Sequence, residues 1–152
     1  MAYQYKESGL DNIWLENGYT VHSTPYGDGI SIEDTAGLHR AIGEWIIQLP
    51  KPLTGAELRF LRLEMELTQR DLAGILGLEE QAVRRYEKGR NKAVSGPADR
   101  LLRALYNEFV SGDGSVRSMV NRLATLNTVE HSTGRFCETP LGWQPQECAC
   151  VA

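Results

Sequence analysis

Residues 67–89 read LTQRDLAGILGLEEQAVRRYEKG, and this stretch predicts two short helices joined by a tight turn. Thr68 is a favoured helix N-cap residue, so we expect the first helix to begin there. Gly77 then occupies a position where helices commonly end in a left-handed residue. A second helix is expected over residues 79–88, ending at Gly89. This spacing is typical of a helix-turn-helix, in which the first helix braces the second.

The second helix of this pair carries different residue types on its two sides. Val83 and Tyr86 suit the side that packs against the protein. The opposite side is expected to carry four polar residues at helical spacing: Gln81, Arg84, Arg85 and Lys88. Because glutamine pairs twice with adenine and arginine twice with guanine, these are residue types that read bases in the major groove. The alternative, a helical hairpin with a solvated basic face, stays open.

Charge favours a DNA partner locally, although the chain of 152 residues has a net charge of −4. Residues 1–50 contain seven acidic and two basic side chains, whereas residues 84–92 contain five basic and one acidic. Docking depends on the local field more than on the total charge. We therefore expect Lys88 at the end of the second helix, and Arg90, Asn91 and Lys92 after it, to reach the DNA backbone.

Strands and further helices are predicted on both sides of this stretch. In residues 1–33, two apolar runs (13–16 and 19–22) flank Asn17-Gly18, a strong signal for a β-hairpin. Four further helices are expected. The first covers residues 34–49 and begins at Asp34 or Thr35, and the second covers residues 54–66 with a capping box of Thr54 and Glu57. The third starts at Pro97 and carries Leu101, Leu102, Leu105 and Phe109 on one side, and the fourth covers residues 116–126.

The predicted fold class is α+β, with a small β-hairpin and helix unit before an all-α helix-turn-helix domain. Pro50 and Pro52 mark the boundary, because prolines disfavour continuation of a helix. We expect domains at residues 1–50 and 53–127. Residues 128–152 show no periodicity and are predicted to be a mobile tail.

Three parts of residues 53–109 resemble the Xre/Cro-type helix-turn-helix repressors, whose domain is lambda-repressor-like. They are residues 67–73 (LTQRDLA), 76–78 (LGL) and 83–89 (VRRYEKG). The resemblance implies that Thr68 and Gln69 hold a phosphate at the N-terminus of the first helix of the motif. It also implies that Glu80, Gln81 and Arg85 occupy base-reading positions. Glu87 and Gly89 would have structural roles.

The layout is also similar to that of the MqsA/YgiT-type antitoxins, which place a small β-rich, toxin-binding domain before the same repressor domain. That family usually binds zinc there through two cysteine pairs, whereas residues 1–136 of this chain contain no cysteine. The resemblance offers an alternative function: an antitoxin that neutralises a toxin through residues 1–49 and autoregulates its operon. The net charge of −5 over residues 1–50 would suit a basic toxin.

No cofactor, metal site or catalytic residue is expected. The histidines lack metal-ligand spacing, the three cysteines lie in the predicted tail, and no P-loop or Gly-x-Ser-x-Gly occurs: His22, His39, His131, Cys137, Cys148 and Cys150. With no visible signal peptide and no apolar run near the roughly 20 residues of a membrane span, we expect a soluble bacterial cytoplasmic protein associated with the nucleoid.

Two features leave the partners open. The apolar residues of 116–126 suit either the core or the seam of a homodimer, and a dimer is expected because operator-binding repressors use two-fold symmetry. The aromatic residues of the N-terminal unit suit its own core, a partner protein or a sensed ligand: Trp14, Tyr19, Tyr26 and Trp45. The expected function is a repressor bound to double-stranded operator DNA.

Overall fold

The computed structural model describes residues 2–112, 117–118 and 133–145, and the fold is α+β, as predicted. The helices are α1 (Thr35–Gln48), α2 (Gly55–Glu64), α3 (Gln69–Leu76), α4 (Glu80–Lys88) and α5 (Gly96–Ser111). The strands are β1 (Tyr3–Gln4), β2 (Trp14–Leu15), β3 (Tyr19–Thr24), β4 (Gly27–Ile32), β5 (Phe136–Thr139) and β6 (Gly142–Pro145), and a short 3₁₀ turn covers Lys6–Ser8.

The hairpin predicted at Asn17-Gly18 is wrong, because the strands on either side of this dipeptide pair with other strands. β3 pairs antiparallel with β4 over six residues, with the turn at residues 25–26. β2 pairs with β1 instead. Gly18 does adopt a positive φ of 78°, so the dipeptide makes a turn, but this turn connects two separate hairpins. The six-residue ladder satisfies more backbone groups than the shorter predicted one, and the β1–β2 pairing buries Leu15 in the core.

The helix starts follow the predicted capping signals. Thr54 and Glu57 form a reciprocal capping box at α2, and Thr68 forms one with Asp71 at α3. Gly77 ends α3 in the left-handed conformation, with φ of 70°. At α1 the side chain of Asp34 accepts a hydrogen bond from the N–H of Gly37 at 3.1 Å, and α5 begins at Gly96, one residue before Pro97.

One hydrophobic core contains residues from both sides of the Pro50–Pro52 segment. The strands and the 3₁₀ region supply Tyr5, Leu10, Ile13 and Leu15, while the helices supply, among others, Ile42, Ile46, Leu58, Leu61, Leu72, Val83, Leu102 and Tyr106. Trp45 and Phe109 have helical spacing with buried residues but are about half exposed. The division into two domains stays a prediction, and the packing shows that the two segments share a core.

Two charged residues of α5 hold the segment that connects α1 to α2. Arg103 donates hydrogen bonds to the carbonyl oxygens of Ile47 at 3.0 Å and Leu49 at 2.9 Å, and it forms an ion pair with Asp99. Asp99 in turn accepts a hydrogen bond from the backbone N–H of Leu53 at 2.8 Å. These contacts satisfy the buried N–H of Leu53 and two carbonyl oxygens at the C-terminal end of α1 that have no place in a continuing helix.

The C-terminal part of the described chain contains a hairpin that the sequence analysis did not predict. β5 pairs with β6, and Gly142 has a positive φ of 101° beside the turn at residues 140–141. The predicted helix over residues 116–126 lies outside the described residues except for positions 117–118, and mobility of the tail stays a prediction. Over the ranges that the structure describes, no helix combines the length and apolar character needed to cross a membrane.

Candidate nucleic-acid interface

α4 has one buried side and one exposed side, and both contain the residues that the sequence predicted. Val83 is fully buried in the core, and half-buried Tyr86 shares a hydrogen bond with the Ser95 hydroxyl at 2.8 Å. The outward face of α4 consists of Gln81, Arg84, Arg85 and Lys88, all exposed. Because its buried side packs against the protein, α4 can present these exposed side chains together to a groove of DNA.

A buried ion pair fixes α4 to α2. Glu87 accepts two hydrogen bonds from the Arg62 guanidinium, Nε to Oε2 and Nη2 to Oε1, each at 2.8 Å, and both side chains are less than a tenth exposed. Arg62 also donates to the carbonyl oxygen of Leu67 at 2.9 Å. A structural role for Glu87 was expected from the resemblance, whereas its pairing with Arg62 was not predicted. The spacing does place Arg62 on the buried side of α2, four residues after Leu58, but it does not indicate which residue Arg62 contacts.

The basic loop that follows α4 is bonded to the start of α2. The backbone N–H groups of Gly55 and Ala56 donate to the carbonyl oxygens of Lys92 and Arg90, both at 3.1 Å. Gly55 is required here, because a Cβ at this position would lie 1.8 Å from the carbonyl oxygen of Tyr86. The loop therefore has a defined position beside α4.

Arg90 and Lys92, two predicted phosphate-binding residues of this loop, differ in whether the side chain is already bonded within the protein. Arg90 donates from Nη2 to the carbonyl oxygen of Gly9 at 2.7 Å, so its guanidinium contacts the N-terminal unit. Lys92 and Asn91 are exposed, and neither Lys92 nor Lys88 forms an ion pair within the described ranges. Lys88 and Lys92 are thus the better placed cations for phosphate.

Arg84 links the candidate base-reading residues to α3. Its Nη2 donates to Glu80 at 2.8 Å, and its Nε donates to the side-chain oxygen of Gln69 at 3.3 Å. Arg85 instead donates from Nε to the carbonyl oxygen of Gln81 on its own helix at 3.4 Å. Since Arg84 is already engaged by a carboxylate, Arg85 is the arginine of α4 that is better able to pair with a base.

The N-terminus of α3 combines possible phosphate donors with a negative charge. Thr68 donates its backbone N–H to Asp71 at 3.1 Å and accepts the N–H of Asp71 on its hydroxyl oxygen at 3.0 Å. The hydrogen bond from the Thr68 backbone lowers the pKa of Asp71, which therefore stays ionised near neutral pH. The exposed Arg70 beside this carboxylate carries the opposite charge and also favours its ionised form.

The two histidines in the described part of the chain form hydrogen bonds within the fold. His39 bonds Glu64 through Nδ1 at 3.0 Å and the Tyr5 hydroxyl through Nε2 at 2.7 Å, and it thereby joins α1 to α2 and to the N-terminal segment. His22 bonds the Ser31 hydroxyl across the β3–β4 ladder at 2.8 Å. In the part of the chain that the structure describes, no cluster of three or more His, Cys, Asp or Glu could hold a metal. Cys137 is exposed on β5, while His131, Cys148 and Cys150 lie outside that part.

The outward face of α4 is therefore a polar and cationic surface, and the opposite side of the helix is fixed by the buried Val83 and the Arg62–Glu87 pair. Its neighbours are the exposed Asn91 and Lys92 and the side chain of Gln69. Such a surface can form bidentate hydrogen bonds to base edges and ion pairs to phosphates. A scan against protein-family models finds no match for this chain, and searches of curated proteins and of solved structures likewise find none.

Proposed function

We propose that this protein is a sequence-specific DNA-binding transcriptional regulator, a repressor that places α4 in the major groove. The observation that carries the proposal is the exposed outward face of α4 opposite the buried Val83 and the Arg62–Glu87 pair. B-DNA has a major groove about 12 Å wide that admits one α-helix, and a helix that is rigidly held can be aligned in it. The resemblance of residues 67–89 to Xre/Cro-type repressors supports the same function.

Each residue of the interface has a proposed role. Arg85 pairs with a guanine and Gln81 with an adenine, while Glu80 accepts from a cytosine amine and Arg84 supports this readout from its position between Glu80 and Gln69. The phosphate contacts come from Thr68, Gln69, Lys88, Arg90, Asn91 and Lys92. Arg90 must exchange its bond to Gly9 for one to phosphate.

The regulator acts as a homodimer in the bacterial cytoplasm and represses by occluding a promoter. Two copies are needed because a single α4 covers only a few base pairs, and two-fold symmetry doubles the site. The proposed activity is binding, with no catalytic step and no cofactor.

The function is tested by selection from a random duplex library with the purified protein, followed by sequencing of the enriched pool. The proposal expects an inverted repeat with half-sites about one helical turn apart. Weak, salt-sensitive binding without any enriched sequence would reject sequence-specific recognition.

A second candidate function, neutralisation of a toxin through residues 1–49, is favoured by the exposure of Trp14 and Trp45 and by the acidic charge of this segment. DNA binding would then serve autoregulation. Co-expression with the product of the adjacent gene tests this candidate, which expects a stable complex with a small basic protein. A chain that always purifies alone would count against it.

A further inference from the structure

An apolar groove lies between β2 and α1, formed by none of the residues of the outward face of α4. It has a volume of about 300 Å³, and no charged side chain lines it. Trp14 of β2 and Trp45 of α1 are part of the lining and are 57% and 45% exposed. Leu38 and Ala41 lie on the same side of α1 as Trp45, at helical spacing, and complete that wall.

The composition of this groove is typical of a protein-binding surface. α1 packs Ile42, Gly43 and Ile46 inward, and the partly buried Leu38 with the more exposed Ala41 and Trp45 extends this apolar side of the helix into the groove. A tryptophan can bury about 150–250 Å² of surface, and tryptophans are enriched among the residues that contribute most to binding energy. Two of them at one concave site leave substantial apolar surface in water unless a partner covers it.

Three acidic residues flank the groove lining in the sequence. Asp11 and Glu16 border the β2 side, and both are exposed without an ion pair in the described parts of the chain. Glu44 precedes Trp45 and pairs with Arg40 at 3.5 Å. Arg40, which also donates to the carbonyl oxygen of Val110, keeps its positive charge and offsets Glu44, so Asp11 and Glu16 supply the net negative charge of the rim.

We propose that this groove binds an apolar segment of a basic partner protein. A basic partner gains from covering the tryptophans and also from the acidic rim. DNA would be repelled by the same rim, and a second copy of this chain would place like charges opposite each other. The inference goes beyond DNA binding and does not depend on it, and it would supply the second candidate function with a docking surface.

The test is a titration of the ¹⁵N-labelled full chain with a short peptide of repeated Lys-Leu-Leu units, followed through the tryptophan indole N–H signals. The chain has three tryptophans, and Trp143 of β6 does not line the groove, so it is an internal control. We expect the Trp14 and Trp45 signals to shift and the Trp143 signal to stay. The same peptide with Glu in place of Lys is expected to bind at least about tenfold more weakly.

Two variants of exposed α1 residues separate docking from general charge attraction. Ala41→Glu fills the groove and Ala36→Glu lies outside its lining, and each adds one negative charge. Docking predicts at least about tenfold weaker peptide binding for Ala41→Glu and binding within about twofold for Ala36→Glu. If Ala41→Glu loses its helical circular dichroism, Leu38→Gln takes its place.

Three results would overturn the proposal. Ala41→Glu that binds the Lys peptide as well as the unaltered chain would mean attraction by charge alone. Equal binding of the Glu peptide would exclude a preference for basic partners. Shifts of the Trp14 and Trp45 signals on dilution, without peptide, would show that a second copy occupies the groove. None of these measurements contains DNA, so a failure of the proposed DNA binding would leave their outcome unchanged.

Discussion

Gly43 of α1 lies directly against Tyr106 of α5, and the missing side chain of Gly43 is what makes room for the tyrosine ring. A Cβ on Gly43 would lie 2.1 Å from the Tyr106 hydroxyl oxygen and 2.3 Å from Cζ. Tyr106 is fully buried, so its ring cannot move outward without opening the core. This contact joins the N-terminal unit to the last helix of the described core.

Gly43→Ala is expected to lower the free energy of unfolding by about 1–3 kcal/mol, because the added methyl group overpacks a rigid contact. Gly74→Ala is the matched control: Gly74 is helical, and a Cβ there would have no atom within 4 Å. The control should gain about 0.5–1 kcal/mol from helix propensity. Urea denaturation measures both, and equal gains in the two variants would contradict the close contact.

Tyr106→Phe is expected to raise the free energy of unfolding by about 1 kcal/mol near neutral pH. The buried hydroxyl has no hydrogen-bond partner among the residues that the structure describes, so removing it removes a desolvation cost. A variant that is less stable than the wild type would show that the hydroxyl has a partner.

The same variant tests a pH dependence. Burial raises the pKa of Tyr106 from 10.0 to about 12. Between these values the unfolded chain loses the proton and the folded chain keeps it, so the free energy of unfolding falls as the pH rises through this window. Denaturation at a series of pH values should show a shallower fall for Tyr106→Phe than for the wild type. Parallel curves would mean that Tyr106 titrates normally.

Glu87→Leu is expected to lower the free energy of unfolding by about 3–5 kcal/mol, because it leaves the Arg62 guanidinium buried without its carboxylate. The double variant Arg62→Met with Glu87→Leu should recover most of this loss. Glu80→Gln breaks the exposed pair with Arg84 and should change the free energy of unfolding by less than about 1 kcal/mol. Similar losses for Glu87→Leu and Glu80→Gln would contradict a special role of the buried pair.

Arg85→Ala is expected to weaken binding to the selected operator by about 1–3 kcal/mol and to relax the preference at one base pair. The reason is that Arg85 has the more available guanidinium of α4. Fluorescence anisotropy with the operator and with duplexes changed at single positions measures both effects. Equal weakening on every duplex would assign Arg85 to the phosphate backbone.

Lys92→Ala should reduce the slope of log K against log salt concentration by about one, since each phosphate contact releases about one counterion. Lys6→Ala is the control, because Lys6 is an exposed lysine of the acidic N-terminal unit. An unchanged slope for Lys92→Ala would show that Lys92 does not contact phosphate.

The predicted helices within residues 34–111 matched the structure because their boundary signals are local. Thr54 with Glu57, and Thr68 with Asp71, form their capping boxes within three residues, and Gly77 ends α3 through its own backbone freedom. The exposed side of α4 followed from its helical period for the same reason. The Asn17-Gly18 hairpin failed because a turn signal does not choose the strand that pairs, and β4 offered β3 a longer ladder.

The sequence by itself determined the helix starts, the α+β class and which side of α4 carries its polar residues, since each of these depends on neighbours within about one or two turns. Only the tertiary structure decided the partners that lie far apart in the chain. Arg62 meets Glu87 across 25 residues and Arg90 meets Gly9 across 81, while Gly43 admits Tyr106. These pairings depend on how the whole core packs, and no local sequence pattern specifies which distant residues will meet.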